Sequence, residues 1–312
     1  MTNLTDPIFH NEDLARLHFE ALRWPDGRVC PHCGVIDEST LMKGKTTRAG
    51  LYKCNACRKP FSATMGTVYE RSHIPLHKWL LATHLIVSSK KGISAHQLYR
   101  QLGFGSYRTA WFMAHRIREA MNLEDALPPF GSDGGMVEVD ETFINQKVGR
   151  RKRHGYQHKM KVLSLVDRST GAAKSFVIDK VTVQDIDPIL AKNLSDEAHL
   201  MTDEHRVYVS IGQFYAQHSK VAHSAKQYVA KDNPALHTNT IEGFFSIFKR
   251  GMSGIYQHCG ENHLHRYTRE FDFRYTFREA NGFNDDDRMK QAIFGTIGKR
   301  LTYQQPDRNA AG

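Results

Sequence analysis

Three carboxylates in the second half of the sequence have the surroundings of metal ligands. Asp140 follows the apolar alternation of "VEV", Asp203 ends the run "HLMTD", and Glu242 lies within "HTNTIEGFFSIFKRG". The two aspartates are predicted to end two buried strands, where a carboxylate is costly unless a cation pairs with it. Two Mg²⁺ or Mn²⁺ ions would supply that pairing, and such a pair promotes phosphoryl transfer. The three acids therefore predict a two-metal catalytic site.

Glu242 has a second explanation in its own segment. Asn239 is a good N-cap, and a glutamate three residues later completes a pattern like a capping box. A buried helical stripe would then follow, formed by Ile241, Phe244, Phe245 and Phe248. Lys249 lies two helical turns after Glu242 and nearly on the same face, which a cap does not explain. Spacing alone leaves both roles open.

Four residues near these acids are further candidates. Glu138 shares the Asp140 face of the predicted strand and could support the site as a neighbouring acid. Glu141 and Glu204 are interpreted as surface charges or local hydrogen-bond partners. His237 is interpreted as a structural hydrogen-bonding residue, with contact to a scissile phosphate as the alternative.

Four of the five cysteines form two pairs, "CPHC" at 30–33 and "CNAC" at 54–57. This spacing, with twenty residues between the pairs, is that of a structural zinc site. The ligands are predicted to be Cys30, Cys33, Cys54 and Cys57. His32 is interpreted as a bystander and Cys259 as an ordinary, partly buried thiol. Two disulfides are the alternative, which a reducing cytoplasm disfavours.

The charge of the chain favours a polyanionic partner. Net charge is +10 and the pI about 9.3, as expected of many nucleic-acid-binding proteins. The loop 145–161 has seven Lys or Arg and no acid, which predicts a DNA clamp or, alternatively, a solvated hairpin tip. No long apolar run and no secretory signal are visible, so we expect no membrane span and a cytoplasmic, nucleoid-associated protein.

The first half of the chain contains the predicted zinc site and predicted helices. Residues 11–24 predict a helix that ends at Pro25, and residues 75–122 predict helices with a glycine-bearing turn at Gly103 and Gly105. This pattern is typical of a helix-turn-helix, although a plain helical connector would look similar. Four basic residues of this segment could then face DNA: Arg108, His115, Arg116 and Arg118.

The second half must position the three acids. Alternation in "MVEVDETFI" predicts a strand, "KVLSLVDRSTGAAKSFVI" predicts two strands joined at Ser169–Gly171, and "KQYVAKD" predicts another short strand. "TVQDIDPILAKNL" and two later segments predict helices, so we expect a mixed sheet covered by helices. The predicted regions are an N-terminal helix at 1–25, a zinc ribbon at 26–72, a helix-turn-helix-like segment at 73–125, a catalytic domain at 134–282 and a C-terminal tail at 283–312.

A set of motifs in fixed order resembles a known family. The CxxC pairs, "TAWFMAHRIREAM", "VEVDETFI", "LMTDEH", "HTNTIEGFFSIFKRG" and "HLHRYTREFDFRYTFR" resemble a bacterial insertion-sequence transposase of the DDE superfamily, in its zinc-ribbon-bearing, Merlin-like branch. The resemblance covers nearly the whole chain. It implies a multi-domain α+β protein with an RNase H-like core, in which Asp140, Asp203 and Glu242 hold the catalytic metal ions. The branch accepts other residues at the third position, so Asn239 stays an alternative to Glu242.

The combined prediction is a DNA transposase that binds the terminal inverted repeats of its element, cleaves a strand and transfers it to target DNA. It predicts a structural Zn²⁺, two catalytic Mg²⁺ or Mn²⁺ ions, and a homodimer or larger assembly on DNA. The predicted DNA-contacting residues are Lys249, Arg250, Arg150, Arg151, Lys152, Arg153 and Arg116. The alternatives are a DNA-binding regulator with an inert core, and a metal-dependent nuclease that cuts without joining.

Overall fold

A computed structural model describes residues 3–124, 126–147, 156–221, 229–230 and 233–302, with the backbone alone for 229–230 and 233–236. The chain divides into two compact units. The first comprises Met1–Ser88, Ser94–Met121 and Asp285–Gly312, and the second comprises Ser89–Ile93 and Asn122–Asn284. No helix in the described part of the chain is both long and apolar enough to cross a membrane.

The secondary structure agrees with most of the predicted elements and adds a strand at Gln217–Val221 and a helix at Asp285–Phe294. The α-helices are α1 Glu12–Arg23, α2 Leu76–Ser88, α3 Ala95–Gln101, α4 Tyr107–Ala120, α5 Val183–Asn193, α6 Val207–Ile211, α7 Asn239–Gly251, α8 Leu264–Thr276 and α9 Asp285–Phe294. The strands are β1 Ser39–Leu41, β2 Leu51–Cys54, β3 Pro60–Ser62, β4 Met136–Gln146, β5 Lys159–Asp167, β6 Ala173–Ile178, β7 His199–Asp203, β8 Gln217–Val221, β9 Val229–Ala230 and β10 Asn233–His237.

The first unit joins a small antiparallel sheet to a group of helices. The sheet has the order β1-β2-β3. In the sequence, β1 lies between the two cysteine pairs, β2 ends at Cys54 and β3 follows the second pair. Helix α1 begins at an N-cap, Asn11, whose side chain accepts hydrogen bonds from the backbone N–H of Asp13 and Leu14. Helix α9, which lies in the segment predicted as a C-terminal tail, packs against α2 and buries Met289, Ala292 and Ile293.

Helices α3 and α4 pack together across a short turn, as in a helix-turn-helix. Each begins at a serine N-cap, Ser94 and Ser106, whose side chain accepts a backbone N–H. Gly103 lies in the turn with a φ of +61°, a conformation that glycine adopts without steric cost. The helix-turn-helix-like arrangement predicted from the sequence is therefore present.

The second unit is built on a five-stranded sheet of order β6-β5-β4-β7-β8. Strands β4, β5 and β6 are antiparallel neighbours, whereas β7 pairs parallel with β4 and β8 pairs parallel with β7. Numbered within the sheet, this is the order 3-2-1-4-5 of the RNase H-like fold. Helices cover both faces, which confirms the predicted mixed sheet with flanking helices.

Strand β4 lies at the centre of this sheet and is buried on both faces. Val137 and Val139 are fully buried among residues of β5, β7 and α5 on one face. Glu138 and Thr142 are buried on the other face, which α7 covers. The prediction that Asp140 ends its strand is wrong, because β4 continues to Gln146 as one arm of a long hairpin with β5.

Candidate active site and zinc cluster

The four predicted zinc ligands form one cluster. The Sγ atoms of Cys30, Cys33, Cys54 and Cys57 all lie within 4.8 Å of one another, and none of these residues is in a disulfide. Between the two CxxC pairs, the Sγ atoms of Cys30 and Cys57 are 3.8 Å apart and those of Cys33 and Cys54 are 3.6 Å apart. Tetrahedral Zn²⁺ with bonds of about 2.3 Å requires sulfurs about 3.8 Å apart, so the cluster has the size of a closed zinc site.

A backbone hydrogen bond favours the thiolate of one cysteine in the cluster, Cys54. The backbone N–H of Cys57 donates to Cys54 Sγ at 3.4 Å, and this hydrogen bond lowers the pKa of Cys54 to about 7. His32 is exposed, and its Nε2 lies 3.2 Å from the carbonyl oxygen of Pro60. The cluster therefore consists of the four cysteines, as predicted, and His32 is not part of it.

The sheet brings Asp140 and Asp203 together. Strands β4 and β7 pair in parallel, with Met136 opposite His199 and Glu138 opposite Met201. Asp140 and Asp203 each follow the last paired residues, Glu138 and Met201, by two positions, and the charge of Asp203 contributes to the raised pKa of Asp140. Side chains opposite each other in neighbouring strands point to the same face. Asp203 ends β7, as the sequence predicts, and its Oδ1 accepts the backbone N–H of His205 at 2.9 Å.

Glu242 lies in the first turn of α7, the helix that covers this face of the sheet. The predicted capping box is wrong: the N-cap is Thr238 rather than Asn239, so Glu242 is the fourth residue of the helix, not the third. Its own N–H makes the regular helical bond to the carbonyl of Thr238. The capping box of Asn239 and Glu242 is therefore not the arrangement at this helix start.

The three acids influence one another electrostatically. Burial raises the pKa of Asp140 to about 8, and the negative charges of Glu141, Asp203 and Glu242 add to this effect. A bound cation would favour the ionised form of Asp140 in these surroundings. Carboxylate oxygens are the ligands that Mg²⁺ prefers, so the residues present fit that ion.

The acids are more widely spaced than the thiolates. Among the described residues, only the four cysteines place three or more potential ligand atoms all within 4.8 Å of one another. In a two-metal site the ions themselves are about 3.5–4 Å apart, so their carboxylate ligands spread over a larger region.

Glu141 is not a surface charge. It points to the other face of β4, where its Oε1 accepts a hydrogen bond of 2.7 Å from the hydroxyl of the fully buried Tyr208. Burial raises the pKa of Glu141, and Asp203 adds to the increase. The interpretation as a hydrogen-bond partner holds, but the partner comes from α6, far away in the sequence.

Glu138 and His237 belong to a network that sequence reasoning did not assemble. Glu138 is fully buried, and its Oε1 lies 2.5 Å from Nε of Arg168. The same guanidinium donates to the carbonyl oxygen and Nδ1 of His237, at 2.5 and 2.7 Å. Arg168 directly follows β5, and nothing in its local sequence signals this role. His237 therefore makes the structural hydrogen bonds predicted for it.

The predicted DNA-contacting residues differ in placement. Lys249 and Arg250 are exposed in the last turn of α7, and Lys249 lies on nearly the same side of the helix as Glu242. Arg150, Arg151, Lys152 and Arg153 lie outside the described residues.

Arg116 is buried in the helical unit. It is 7% exposed, donates to the carbonyl of Glu70 at 2.6 Å and lies over the ring of Trp79. This position argues against the predicted contact with DNA and gives Arg116 a structural role instead. His115 and Arg118 are buried in the same helix, whereas Arg108, near its start, is exposed.

The sheet order, the flanking helices and the acids on β4, β7 and α7 define the RNase H-like class of nucleic-acid-processing proteins. Residues 134–276 match the ISXO2-like transposase domain, and residues 10–60 match the transposase zinc-ribbon domain. The two matches lie in the predicted order and together cover more than half of the chain. The chain belongs to the insertion-sequence transposases of the DDE superfamily that carry a zinc ribbon.

The chain is also similar to individual proteins. An uncharacterized protein in transposable element ISH50 of Halobacterium salinarum is 28% identical over 269 residues, which are 81% of this chain and 87% of the relative. A chain in the cryo-EM structure of the simian T-cell lymphotropic virus intasome with the PP2A regulatory subunit B56 gamma is 15% identical, with a TM-score of 0.29. That similarity covers 56% of this chain and 63% of the viral chain, which is less than two thirds of its length.

Proposed function

We propose that this transposase binds the terminal inverted repeats of its element and uses Asp140, Asp203 and Glu242 to cleave a strand and transfer it. The observation that carries the proposal is the convergence of these acids from two parallel neighbouring strands and a covering helix, with the pKa of Asp140 raised to about 8. A bound cation would stabilise the ionised form of Asp140, whose pKa is raised beside the other two acids.

The three carboxylates would hold two Mg²⁺ or Mn²⁺ ions. Such ions, when bound, activate the attacking oxygen and stabilise the leaving oxygen of an in-line displacement. In the first reaction, water attacks the phosphorus at the element end, and the 3′ oxygen leaves as a hydroxyl. In the second, that 3′-hydroxyl attacks a phosphodiester of target DNA and displaces its 3′ oxygen. No covalent bond to protein is required in either reaction.

The rest of the chain supports binding and orientation of DNA. Lys249 and Arg250, exposed at the end of α7, would hold phosphates near Glu242, and the basic residues of the 145–161 loop would clamp the duplex. The zinc ribbon and the α3–α4 pair would contact the terminal repeats. Helix α4 would act as the recognition helix, and its exposed residue Arg108, near its start, would face the DNA. Joining two element ends requires at least a dimer on DNA.

The test is cleavage and strand transfer on a labelled duplex that carries the terminal repeat, with Mg²⁺ or Mn²⁺. Wild type is compared with Asp140→Asn, Glu242→Gln and Asn239→Ala. Glu204→Gln is the matched control, because it removes the same charge from an exposed residue directly after Asp203. We expect the first two variants to bind DNA and lose both reactions, and the other two to keep them.

Other outcomes separate the alternatives. Cleavage without transfer of a pre-cut end would identify a nuclease that does not join strands. DNA binding without any metal-dependent reaction by the wild type would identify a regulator with an inert core. Loss of activity in Asn239→Ala but not in Glu242→Gln would move the third ligand to Asn239.

A further inference from the structure

The start of helix α7 is held by a residue from another element. The first N–H groups of a helix have no partner within it, and a side chain at the N-cap usually satisfies one of them. Here the N-cap, Thr238, makes no such hydrogen bond. Instead, Oε2 of Glu138 on β4 accepts the N–H of Ile241 at 2.8 Å. A carboxylate from strand β4 therefore accepts the hydrogen bond that an N-cap side chain usually accepts.

Arg168 completes this attachment. Its Nε contacts the other oxygen of Glu138 at 2.5 Å, and its terminal nitrogen contacts the carbonyl oxygen of His237 at 2.5 Å. His237 directly precedes the N-cap, and its Nδ1 also lies 3.3 Å from the backbone N–H of Asn239. One guanidinium therefore ties the end of β5 to the centre of β4 and to the residue before α7.

The attached atoms are neighbours of the proposed metal ligands. Glu138 and Asp140 lie two residues apart on the same face of β4, and Ile241 and Glu242 are consecutive on α7. Fixing Glu138 to Ile241 consequently fixes the separation between Asp140 and Glu242. A buried ion pair contributes little to stability compared with apolar packing, so its geometric effect is the more important one.

We propose that Glu138 and Arg168 are positioning residues that hold the first turn of α7, and with it Glu242, at the distance from Asp140 that the metal ions need. The proposal rests on the proposed function of the three acids. It assigns to Glu138 and Arg168 no contact with metal or DNA. Groups that support metal ligands in this way typically change metal affinity by about 10–100-fold when they are altered.

The test uses two variants. Glu138→Gln keeps an acceptor for the N–H of Ile241 but loses the charge that pairs with Arg168. Arg168→Lys keeps the positive charge but loses the several N–H donors of the guanidinium. Glu270→Gln is the matched control. Glu270 is fully buried, as Glu138 is, and its Oε1 lies 2.5 Å from a terminal nitrogen of Arg274 within α8. Two readouts are taken on the full chain: hydrogen exchange of residues 239–245 without Mg²⁺ or Mn²⁺, and the Mn²⁺ concentration that gives half-maximal cleavage.

We expect Glu138→Gln and Arg168→Lys to speed exchange in 239–245 and to raise the half-maximal Mn²⁺ concentration about tenfold or more. Glu270→Gln should lower the melting temperature without either effect. The positioning role is refuted if the variants show the exchange and Mn²⁺ dependence of the wild type, or if Glu270→Gln changes both readouts as much. A wild type that cleaves nothing would overturn the proposed function instead, and exchange in 239–245 would then decide whether the attachment exists.

Discussion

At the scale of single residues, two aspartates resist ionisation for the same main reason but in different surroundings. Burial raises the pKa of both Asp140 and Asp272 to about 8. Asp140 also has acids around it, whereas Asp272 accepts the backbone N–H and the hydroxyl of Ser175, at 2.9 and 2.6 Å. Because these donors are neutral, Asp272 needs no metal ion to be accommodated. It ties α8 to the edge strand β6 as a protonated acid.

Asp272 makes stability depend on pH. The folded chain keeps the Asp272 proton up to about pH 8, whereas the unfolded chain releases it near pH 4. Folding therefore takes up a proton between these values, and this group lowers the free energy of unfolding as pH rises through them, by at most about 1.4 kcal/mol per pH unit. Asp272→Asn, which imitates the protonated acid, should flatten this part of the pH dependence.

The measurement is urea unfolding between pH 5 and 8 in buffer that contains no Mg²⁺ and retains bound zinc. Asp187→Asn is a suitable control because it removes a partly exposed carboxylate of the same unit. An unchanged slope in Asp272→Asn would mean that the carboxyl is ionised in the folded chain.

Some residue roles could be predicted from the sequence and others could not. The cysteine ligands could be predicted, because two cysteines separated by two residues form a tight turn that presents both sulfurs to one zinc ion. The choice between cap and metal ligand for Glu242 could not be made locally, because the acceptor for the start of α7 comes from Glu138, about a hundred positions earlier. The burial of Arg116 depends on Trp79 and Glu70, which α4 meets only in the folded unit.

At the scale of elements, alternation predicted the strands that have apolar faces and missed β8. In β4 and β5, side chains of each face enter a separate core, so the pattern is strong. Strand β8, "QHSKV", lies at the sheet edge with mostly partly exposed polar residues. Its pairing with β7 depends on backbone hydrogen bonds, which leave no trace in residue type.

Helix α9 shows what the predicted C-terminal tail contributes to the first unit. Ile293 is fully buried in it, while the adjacent Phe294 is 45% exposed. Ile293→Ala should lower the free energy of unfolding by about 2–5 kcal/mol, because it leaves a cavity in a packed core. Phe294→Ala removes more atoms from the same helix but should cost much less. Denaturant unfolding of both variants checks this, and equal losses would show that α9 is not packed as described.

The zinc ribbon should depend on its metal. Its β1–β3 sheet is small and its core contains two of the ligands, Cys30 and Cys54, so little apolar area is available without zinc. We expect Cys54→Ser to lose zinc and amide protection in residues 39–62. Cys259→Ser, which changes the cysteine outside the cluster, should keep both. Atomic absorption and hydrogen exchange measure the two effects, and retained protection in Cys54→Ser would contradict the prediction.

At the scale of the whole molecule, the charge of +10 predicts DNA affinity that falls steeply with salt. Replacing Arg150, Arg151, Lys152 and Arg153 with glutamine should reduce the slope of log affinity against log salt by about 0.9 for each phosphate that the loop no longer neutralises. Binding titrations at several salt concentrations give the slope. Arg71→Gln, an exposed arginine outside the predicted clamp, serves as the comparison. A slope equal to that of the wild type would remove the 145–161 loop from the DNA-binding surface.

The first unit takes its residues from both sides of the second in the sequence, since α9 packs against α2. On the ribosome, domains generally fold in the order in which they are synthesised. The acid-bearing second unit would therefore be complete before the first unit, because α9 follows the second unit in the sequence. A chain that stopped before α9 would carry the three acids without a finished first unit.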